Sequence, residues 1–529
     1  MFKINENSNP NYLATICKIG TVTPIENSDH LCKTVVNGFD IVIDNSMKEG
    51  DIVMYMPVET AISPEYLSKN NLYEISEYEK NSNADEVGVL IEKAKAAKAD
   101  GRLDDYDAYM AQAKPMVGYF NKHGRVRIIR LRGCPSEGYV APVKTLVKYK
   151  ESLASVDWEK IVGTSFSHIG DDEFCHKYVP PIREGRGGNG QRQYNKRMNK
   201  LKNFDRIIEE QFKFHYDTQM LASNMHNFSP NDCVSISLKV HGTSIVMSNV
   251  LVKRKLTVWD KIKRFFGGSV IEKEYGNVYA SRSVIKNRYL NKSAGPGYYG
   301  TDVWGVCNEV FKDYLDKGMT LYGEIVGYIP GTSTLIQKDH DYGCEVGEWK
   351  LMPYRIKVTD ELGEDNEWEL VDVDNWTHRL AENHPELEKN ILFLTIFHNG
   401  RFGDLYPDLD ETQHWQENVL ERMKNDTENF GMELKEPLCH LWEKDAENAK
   451  KLLDAAIERG DSKKNVKKLQ SEYEKLEAKR APREGIVIRK IADPTAEAWK
   501  LKTFAHYHRE AIQHDAGEVD IEEAESENV

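Results

Sequence analysis

No run of about 18 apolar residues occurs in this chain, so the sequence offers no candidate membrane span. Its opening, Met1-Phe2-Lys3-Ile4-Asn5-Glu6-Asn7, lacks the long apolar core of a secretory signal. Cysteine is sparse: Cys17, Cys32, Cys134, Cys175, Cys233, Cys307, Cys344 and Cys439 are scattered without a C-x-x-C pair. That excludes a zinc framework built on such pairs and a dense disulfide scaffold. Reduced thiols in a cytoplasmic compartment are the expectation. Excess positive charge is also lacking, with 71 Lys and Arg against 85 Asp and Glu and a net charge of −14. The molecule as a whole is no polycation, so any contact with nucleic acid needs local basic patches.

Such patches are present. Arg183, Arg186, Arg192, Lys196, Arg197, Lys200, Lys202 and Arg206 crowd one segment with only Glu184 and Asp205 among them. A second run holds Lys253, Arg254, Lys255, Lys261, Lys263 and Arg264. Both suit nucleic-acid contact, and both suit a solvated loop. At 529 residues and 40 % hydrophobic content, the chain should fold as two or more domains with sizeable cores. Gly185-Arg186-Gly187-Gly188-Asn189-Gly190 reads as an interdomain linker. It is no phosphate-binding loop, because no Lys-Ser/Thr follows it and no apolar strand precedes it. Residues 518–527 read as a disordered acidic tail.

Apolar runs at 13–19, 34–36, 41–43 and 51–57 recur roughly every ten residues between Gly, Asn and Asp turns, which suggests a small β-barrel. Residues 125–133 and 138–143 supply two more strands. The basic strand 125–132 carries its charges on one side and is a candidate nucleic-acid surface. Between these strands, residues 84–113 are rich in Ala, Lys, Glu and Asp and predict a helical hairpin turning near Asp100-Gly101. Residues 440–481 predict a second hairpin, turning near Gly460-Asp461. There Leu452, Leu453, Ala456, Ile457, Val466, Leu469, Tyr473 and Leu476 keep helical spacing.

The chemistry-bearing segments lie further along. Lys239-Val240-His241-Gly242-Thr243-Ser244 closes a β-type run at 234–238. Then come Ala280-Ser281-Arg282-Ser283, Leu321-Tyr322-Gly323-Glu324-Ile325-Val326-Gly327 and Pro353-Tyr354-Arg355-Ile356-Lys357-Val358. Arg483-Glu484-Gly485-Ile486-Val487-Ile488-Arg489 and Trp499-Lys500-Leu501-Lys502-Thr503 complete the series. A lysine amine kept neutral is a nucleophile. Each residue alone also suits an ordinary strand: Glu324 as an edge carboxylate, Glu484 as a charge beside Arg480, Lys500 and Lys502 as the polar face against Trp499 and Leu501. Together they are the groups needed to hold a nucleoside triphosphate and a divalent metal.

The order of these motifs resembles the covalent nucleotidyltransferases, the polynucleotide ligases and mRNA capping enzymes. Those share K-x-[DH]-G, S-R, G-E, an aromatic β-run, E-G-[IV]-[IV] and K-x-K. Histidine at position 241 is similar to the RNA ligase 2-like branch, and His215-Tyr216-Asp217-Thr218-Gln219 looks like its approach segment. Leu238 stands where many relatives have Glu, and the aromatic run lacks their F-D-I form. The resemblance implies an α+β chain. An OB-like β-barrel that binds nucleic acid spans 1–180, a basic linker 181–203, an adenylyltransferase domain 204–512 and an acidic tail 513–529. The adenylyltransferase domain is ATP-grasp-like, with antiparallel sheets and helices.

The resemblance further implies ATP and Mg2+ (or Mn2+). Lys239 would carry AMP, and Glu484 would hold the metal. His241, Gly242, Arg282, Glu324, Tyr354, Lys500 and Lys502 would bind the nucleotide. Within that set Glu324 meets the ribose, Arg282 the sugar–phosphate, Tyr354 the adenine, and the two lysines the α-phosphate. The implied function is an ATP-dependent RNA ligase, a monomer off the membrane, sealing 3′-OH/5′-phosphate breaks in RNA or RNA/DNA nicked duplexes. A DNA ligase or GTP-dependent capping enzyme is the alternative. Those enzymes usually place their OB domain after K-x-K, and only about 25 residues follow Lys502, too few for a barrel. A non-catalytic nucleic-acid-binding protein is the third reading.

Overall fold

The computed structural model describes residues 2–6, 8–26, 28–179, 206–208, 210–215, 217–282, 284–286, 301–427, 440–477, 481–491 and 498–515. The linker expected at 181–203, with all its glycines and basic side chains, lies outside these residues, and so does the tail from 516 onward. The chain divides into two compact units. One is Met1–Pro180 with Ala222–Met225; the other is Pro181–Leu221 with His226–Val529.

In the first unit, β1 (Ala14–Lys18), β4 (Ile52–Met56) and β5 (Tyr139–Pro142) pair antiparallel in the order β5-β4-β1. The hairpin β2 (Leu31–Val36) and β3 (Phe39–Asp44) belongs to another sheet. Its turn is Asn37-Gly38, both at positive φ (52° and 81°), the backbone that a tight two-residue hairpin requires. Ile16, Met54, Met56, Ala141, Phe120 and Phe166 pack into one core. The expected OB-like β-barrel does not form as continuous ladders. Between the two sheets run single backbone bonds, Gly20 N–H to Val35 O at 3.2 Å and Glu137 N–H to Asp40 O at 2.8 Å. Pro135, beside the second seam, has no N–H with which to extend it.

The basic stretch is also different from its expectation. Only Ile129–Leu131 is strand, and it turns back through Arg132 and Gly133, both at positive φ. Arg125 is buried, with its guanidinium 2.5 Å from Glu59 Oε1. It neutralises a buried carboxylate and is no part of a nucleic-acid surface. Residues 84–113 form α1 (Ala84–Ala99) and α2 (Leu103–Ala113), with Gly101 at φ 75° in the turn.

The second unit is built on two five-stranded sheets. The first has the order β6-β15-β14-β7-β13, with β6 (Gln219–Met220), β7 (Cys233–Lys239), β13 (Ile396–Arg401), β14 (Gly485–Lys490) and β15 (Ala498–Lys502). The other has the order β9-β8-β10-β11-β12, with β8 (Thr243–Lys253), β9 (Lys273–Ala280), β10 (Met319–Gly327), β11 (Trp349–Thr359) and β12 (Asp365–Glu367). Pairing is antiparallel except between β6 and β15. β7 and β8 are neighbours in sequence but lie in different sheets, so residues 240–242 carry the chain from one to the other. Helix α3 (Val258–Phe265) connects β8 to β9 and begins in a Thr257/Asp260 capping box. Helices α4 (Val303–Phe311) and α5 (Leu370–Asn383) bury Trp304, Phe311 and Val373 against Ile245, Leu321, Leu351 and Ile356. A hairpin of α6 (His440–Glu458) and α7 (Lys463–Glu477) precedes β14, and α8 (Phe504–Asp515) follows β15. No helix among the described residues is long and apolar enough to cross a membrane.

Candidate active site

Three adjacent strands bring the key side chains to one end of a sheet. Lys239 closes β7 opposite Gly485 of β14, and Gly485 in turn lies opposite Lys502 of β15. Glu484, one residue ahead of Gly485, therefore sits between two lysines. Lys239 Nζ lies 2.9 Å from Glu484 Oε1, and Lys502 Nζ lies 3.4 Å from the same oxygen. Lys502 is also 3.1 Å from Glu510 Oε2. Gly485 has φ +149°, and a Cβ there would fall 2.0 Å from Leu501 O, so only glycine lets the two strands close at this point. Glu484 is 4 % exposed. Burial pushes its carboxyl up, but Lys239, Lys502, His506 and His241 outweigh it and hold the group well below the usual carboxylate range.

His241 donates its backbone N–H to the Tyr342 hydroxyl at 2.7 Å, and its Nδ1 stands 3.9 Å from Glu484 Oε2. Its ring meets those of His506 (4.9 Å) and His340 (5.3 Å) edge to face. Burial lowers all three imidazoles, His340 to about 4. Helix α8 supplies His506 and, one turn on, Glu510. Thr503 anchors that helix: its Oγ accepts the His506 N–H at 3.2 Å and donates to Arg483 O at 2.6 Å. Its own N–H donates to Glu484 O at 2.9 Å. The helix start is thus tied to the residues that flank the central carboxylate.

Gly242 is a close-approach position, because a Cβ there would fall 2.3 Å from Ile325 O and 2.8 Å from Glu324 Cγ. Glu324, on β10, accepts a hydrogen bond from Ser244 Oγ at 3.1 Å. Lys500 alternates with buried Trp499 and Leu501 on β15. Burial, followed by Lys502, Arg282 and Lys239, brings its amine down to about 7, with Asp217 opposing. Arg282 pairs with Asp217; burial raises that carboxyl, yet Arg282 and Lys500 carry it down to about 2. The Tyr354 ring lies 6.0 Å from His215, whose imidazole is kept neutral by burial and by Arg282 and Arg355. Arg489 also sits over the tyrosine, 5.8 Å from its ring centroid.

The nine residues singled out in the sequence form one connected group. Lys239, His241, Glu484 and Lys502 meet directly, and Gly242 touches Glu324. Lys500 and Arg282 act on each other's charge, and Tyr354 joins through His215. Sequence reasoning missed His340, Tyr342, His506 and Glu510 and gave Asp217 no role. His506 and Glu510 had a readable signal, a spacing of four just after Lys-x-Lys, which shares one helix face. His340 and Tyr342 lie between β10 and β11 without a local pattern. Chemically, a lysine amine faces a buried carboxylate within a group rich in cationic side chains. Such a cluster suits a polyanionic ligand whose charge changes during reaction.

No family model matches the chain, and no curated protein does. Solved structures do. A mutant of Naegleria gruberi RNA ligase with ATP and Mn aligns over 94 % of this chain and 98 % of that one, at 15 % identity and a TM-score of 0.48. A second mutant of that ligase with ATP and Mn aligns over 97 % and 99 %, at 14 % identity and 0.47. The same ligase with PPi aligns over 94 % and 98 %, at 14 % and 0.46. With TM-scores under 0.5, these likenesses carry none of the functional argument, which rests on the side chains.

Proposed function

We propose that this chain is an ATP-dependent RNA ligase. The observation that carries the reading is the Lys239–Glu484–Lys502 cluster, with Lys239 Nζ at 2.9 Å and Lys502 Nζ at 3.4 Å from one buried carboxylate oxygen. Lys239 attacks the α-phosphorus of ATP; the N–P bond forms, the bond to the β-phosphate oxygen breaks, and pyrophosphate leaves. AMP then passes from the lysine to a 5′-phosphate end. A 3′-OH attacks that activated phosphate, AMP departs, and a phosphodiester forms. An ordinary lysine has a pKa of about 10.4, so its amine must lose a proton before it attacks. Lys500 and Lys502 place positive charge where the α-phosphate gains negative charge. Arg282 and Glu324 hold the sugar–phosphate and ribose, and Tyr354 stacks on the base. Glu484 Oε2, without a hydrogen-bond partner among the described residues, suits a cation. A divalent ion bound there supplies charge that offsets the triphosphate.

The RNA side of the proposal draws on the first unit. Counting the two single-bond seams, its strands run in a circuit β1-β2-β3-β5-β4 and back to β1. That order supports an open, five-stranded OB-like barrel of the kind that binds oligonucleotides. RNA or an RNA/DNA nicked duplex is the proposed partner, a monomer the working form and the cytoplasm the proposed setting. The test incubates the chain with α-labelled ATP or GTP and Mg2+ or Mn2+, followed by a denaturing gel. Label from ATP that vanishes in Lys239→Ala is the expected result. Label from GTP points to capping chemistry, and no label to a non-catalytic binder.

A further inference from the structure

The cation expected beside Lys239 is Mg2+ (or Mn2+), an ion suited to carboxylate, carbonyl and water oxygens. The donors gathered around Glu484 are of another kind. His241, Glu484 and His506 each offer one ligand atom, and these atoms all lie within 4.8 Å of one another. His241 Nδ1 stands 3.9 Å from Glu484 Oε2, and His506 Nε2 stands 4.0 Å from Glu484 Oε1. His506 is 3 % exposed and Glu484 4 %. Among the described residues, neither ring nitrogen of His506 nor Oε2 of Glu484 has a hydrogen-bond partner. A buried imidazole with both nitrogens unsatisfied is costly unless something else binds there.

We propose that His241, Glu484 and His506 form a binding site for a divalent ion of the zinc type, in preference to Mg2+ or Mn2+. Two imidazoles and one carboxylate are the donor set of open, three-ligand zinc-type sites. Metal–donor bonds of about 2.0–2.2 Å require ligand atoms roughly 3.4 Å apart in tetrahedral geometry. With one atom from each residue, the three ligand atoms lie within 4.8 Å of one another, so an inward closure of up to about 1.4 Å reaches that geometry. The ammoniums of Lys239 and Lys502 approach the other carboxylate oxygen, Oε1, which leaves Oε2 toward His241. Lys502 is in turn offset by Glu510 at 3.1 Å. The Thr503 anchor fixes His506 against the Glu484 backbone, so the donors are held on linked elements. The site names the ion class for the proposed nucleotidyl transfer, and its place beside Lys239 rests on that reading.

The test uses the untagged full chain without nucleotide and Co2+ as the probe. One equivalent should bind with visible ligand-field absorption and resist a large excess of Mg2+. His241→Ala and His506→Ala should each weaken Co2+ binding by about 100-fold or more, since lost ligands cost more than the 10- to 100-fold of supporting residues. X-ray absorption at the cobalt edge of the unaltered chain should count two imidazoles, a readout that needs no variant to fold. No Co2+ binding, ready displacement by Mg2+, or fewer than two imidazoles overturns the proposal. Label transfer from ATP to Lys239 with no cobalt site sinks the metal inference alone. A two-imidazole cobalt site without label transfer sinks the ligase reading alone.

Discussion

At the scale of single residues, Glu484 is the hub on which the cationic groups converge. Removing its charge takes from Lys239 and Lys502 the carboxylate oxygen that both approach. Glu484→Gln should therefore abolish labelling and lower stability by about 3–5 kcal/mol, the usual effect of deleting one partner of a buried pair. Urea unfolding measures it, and an unchanged midpoint would show that the lysines do not depend on Glu484. Lys500 makes a second prediction. Its amine, brought to about 7 by burial and by Lys502, Arg282 and Lys239, is mostly neutral at pH 8 in the free protein. Triphosphate favours the ammonium and raises that pKa, so ATP binding at about pH 8 should take up as much as one proton. Calorimetry of the unaltered chain binding an ATP analogue that cannot release pyrophosphate, in Tris and in HEPES, reads the uptake as a buffer-dependent enthalpy. The same slope in Lys500→Met would assign the proton elsewhere.

At the scale of elements, the site depends on two places where backbones meet without a Cβ. Gly485→Ala forces a methyl to within 2.0 Å of Leu501 O at a φ of +149°, and Gly242→Ala forces one to within 2.3 Å of Ile325 O. Each should cost roughly 1–3 kcal/mol through overpacking, shift its neighbouring carboxylate and cut labelling steeply. Thermal melts and label yield check this; a Gly485→Ala chain with full activity contradicts the strand contact. The same elements show what a sequence reveals. Trp499-Lys500-Leu501-Lys502 alternates with period two, and the structure buries Trp499 and Leu501. Gly242 and Gly485 are visible as glycines, but their partners, 83 and 16 residues away at Ile325 and Leu501, appear only once strands pair. His340 and Tyr342 enter the site through a loop with no periodicity. Within the basic run at 125–132 the burial of Arg125 was not legible, because it depends on Glu59, remote in sequence and matched to it only in the fold.

At the scale of the whole molecule, the buried titratable groups set a pH limit on the second unit. His340 has a folded pKa of about 4 against an ordinary 6.5, so the fold resists a proton that the unfolded chain accepts. That contribution is complete above pH 6.5 and is lost as pH falls toward 4. Asp217, lowered from 3.8 to about 2, and Glu484, lowered from 4.5, add stability present above their ordinary values and lost on further acidification. Urea midpoints should fall from pH 6.5 to 4 and more steeply below; a flat profile from 6.5 to 4 contradicts a buried neutral His340. The α+β character was legible from alternating runs and helical spacing. Barrel closure was not, since it turns on whether two seams form ladders or single bonds, a choice made by Gly20 and Pro135 against distant strands.

In the proposed reaction the amine of Lys239 takes AMP from ATP. The most direct measurement is peptide mapping by mass spectrometry after incubation with ATP and a divalent ion. A single adenylyl adduct on the peptide containing Lys239 is the predicted result. No adduct, or an adduct on Lys500, Lys502 or any other residue, contradicts it.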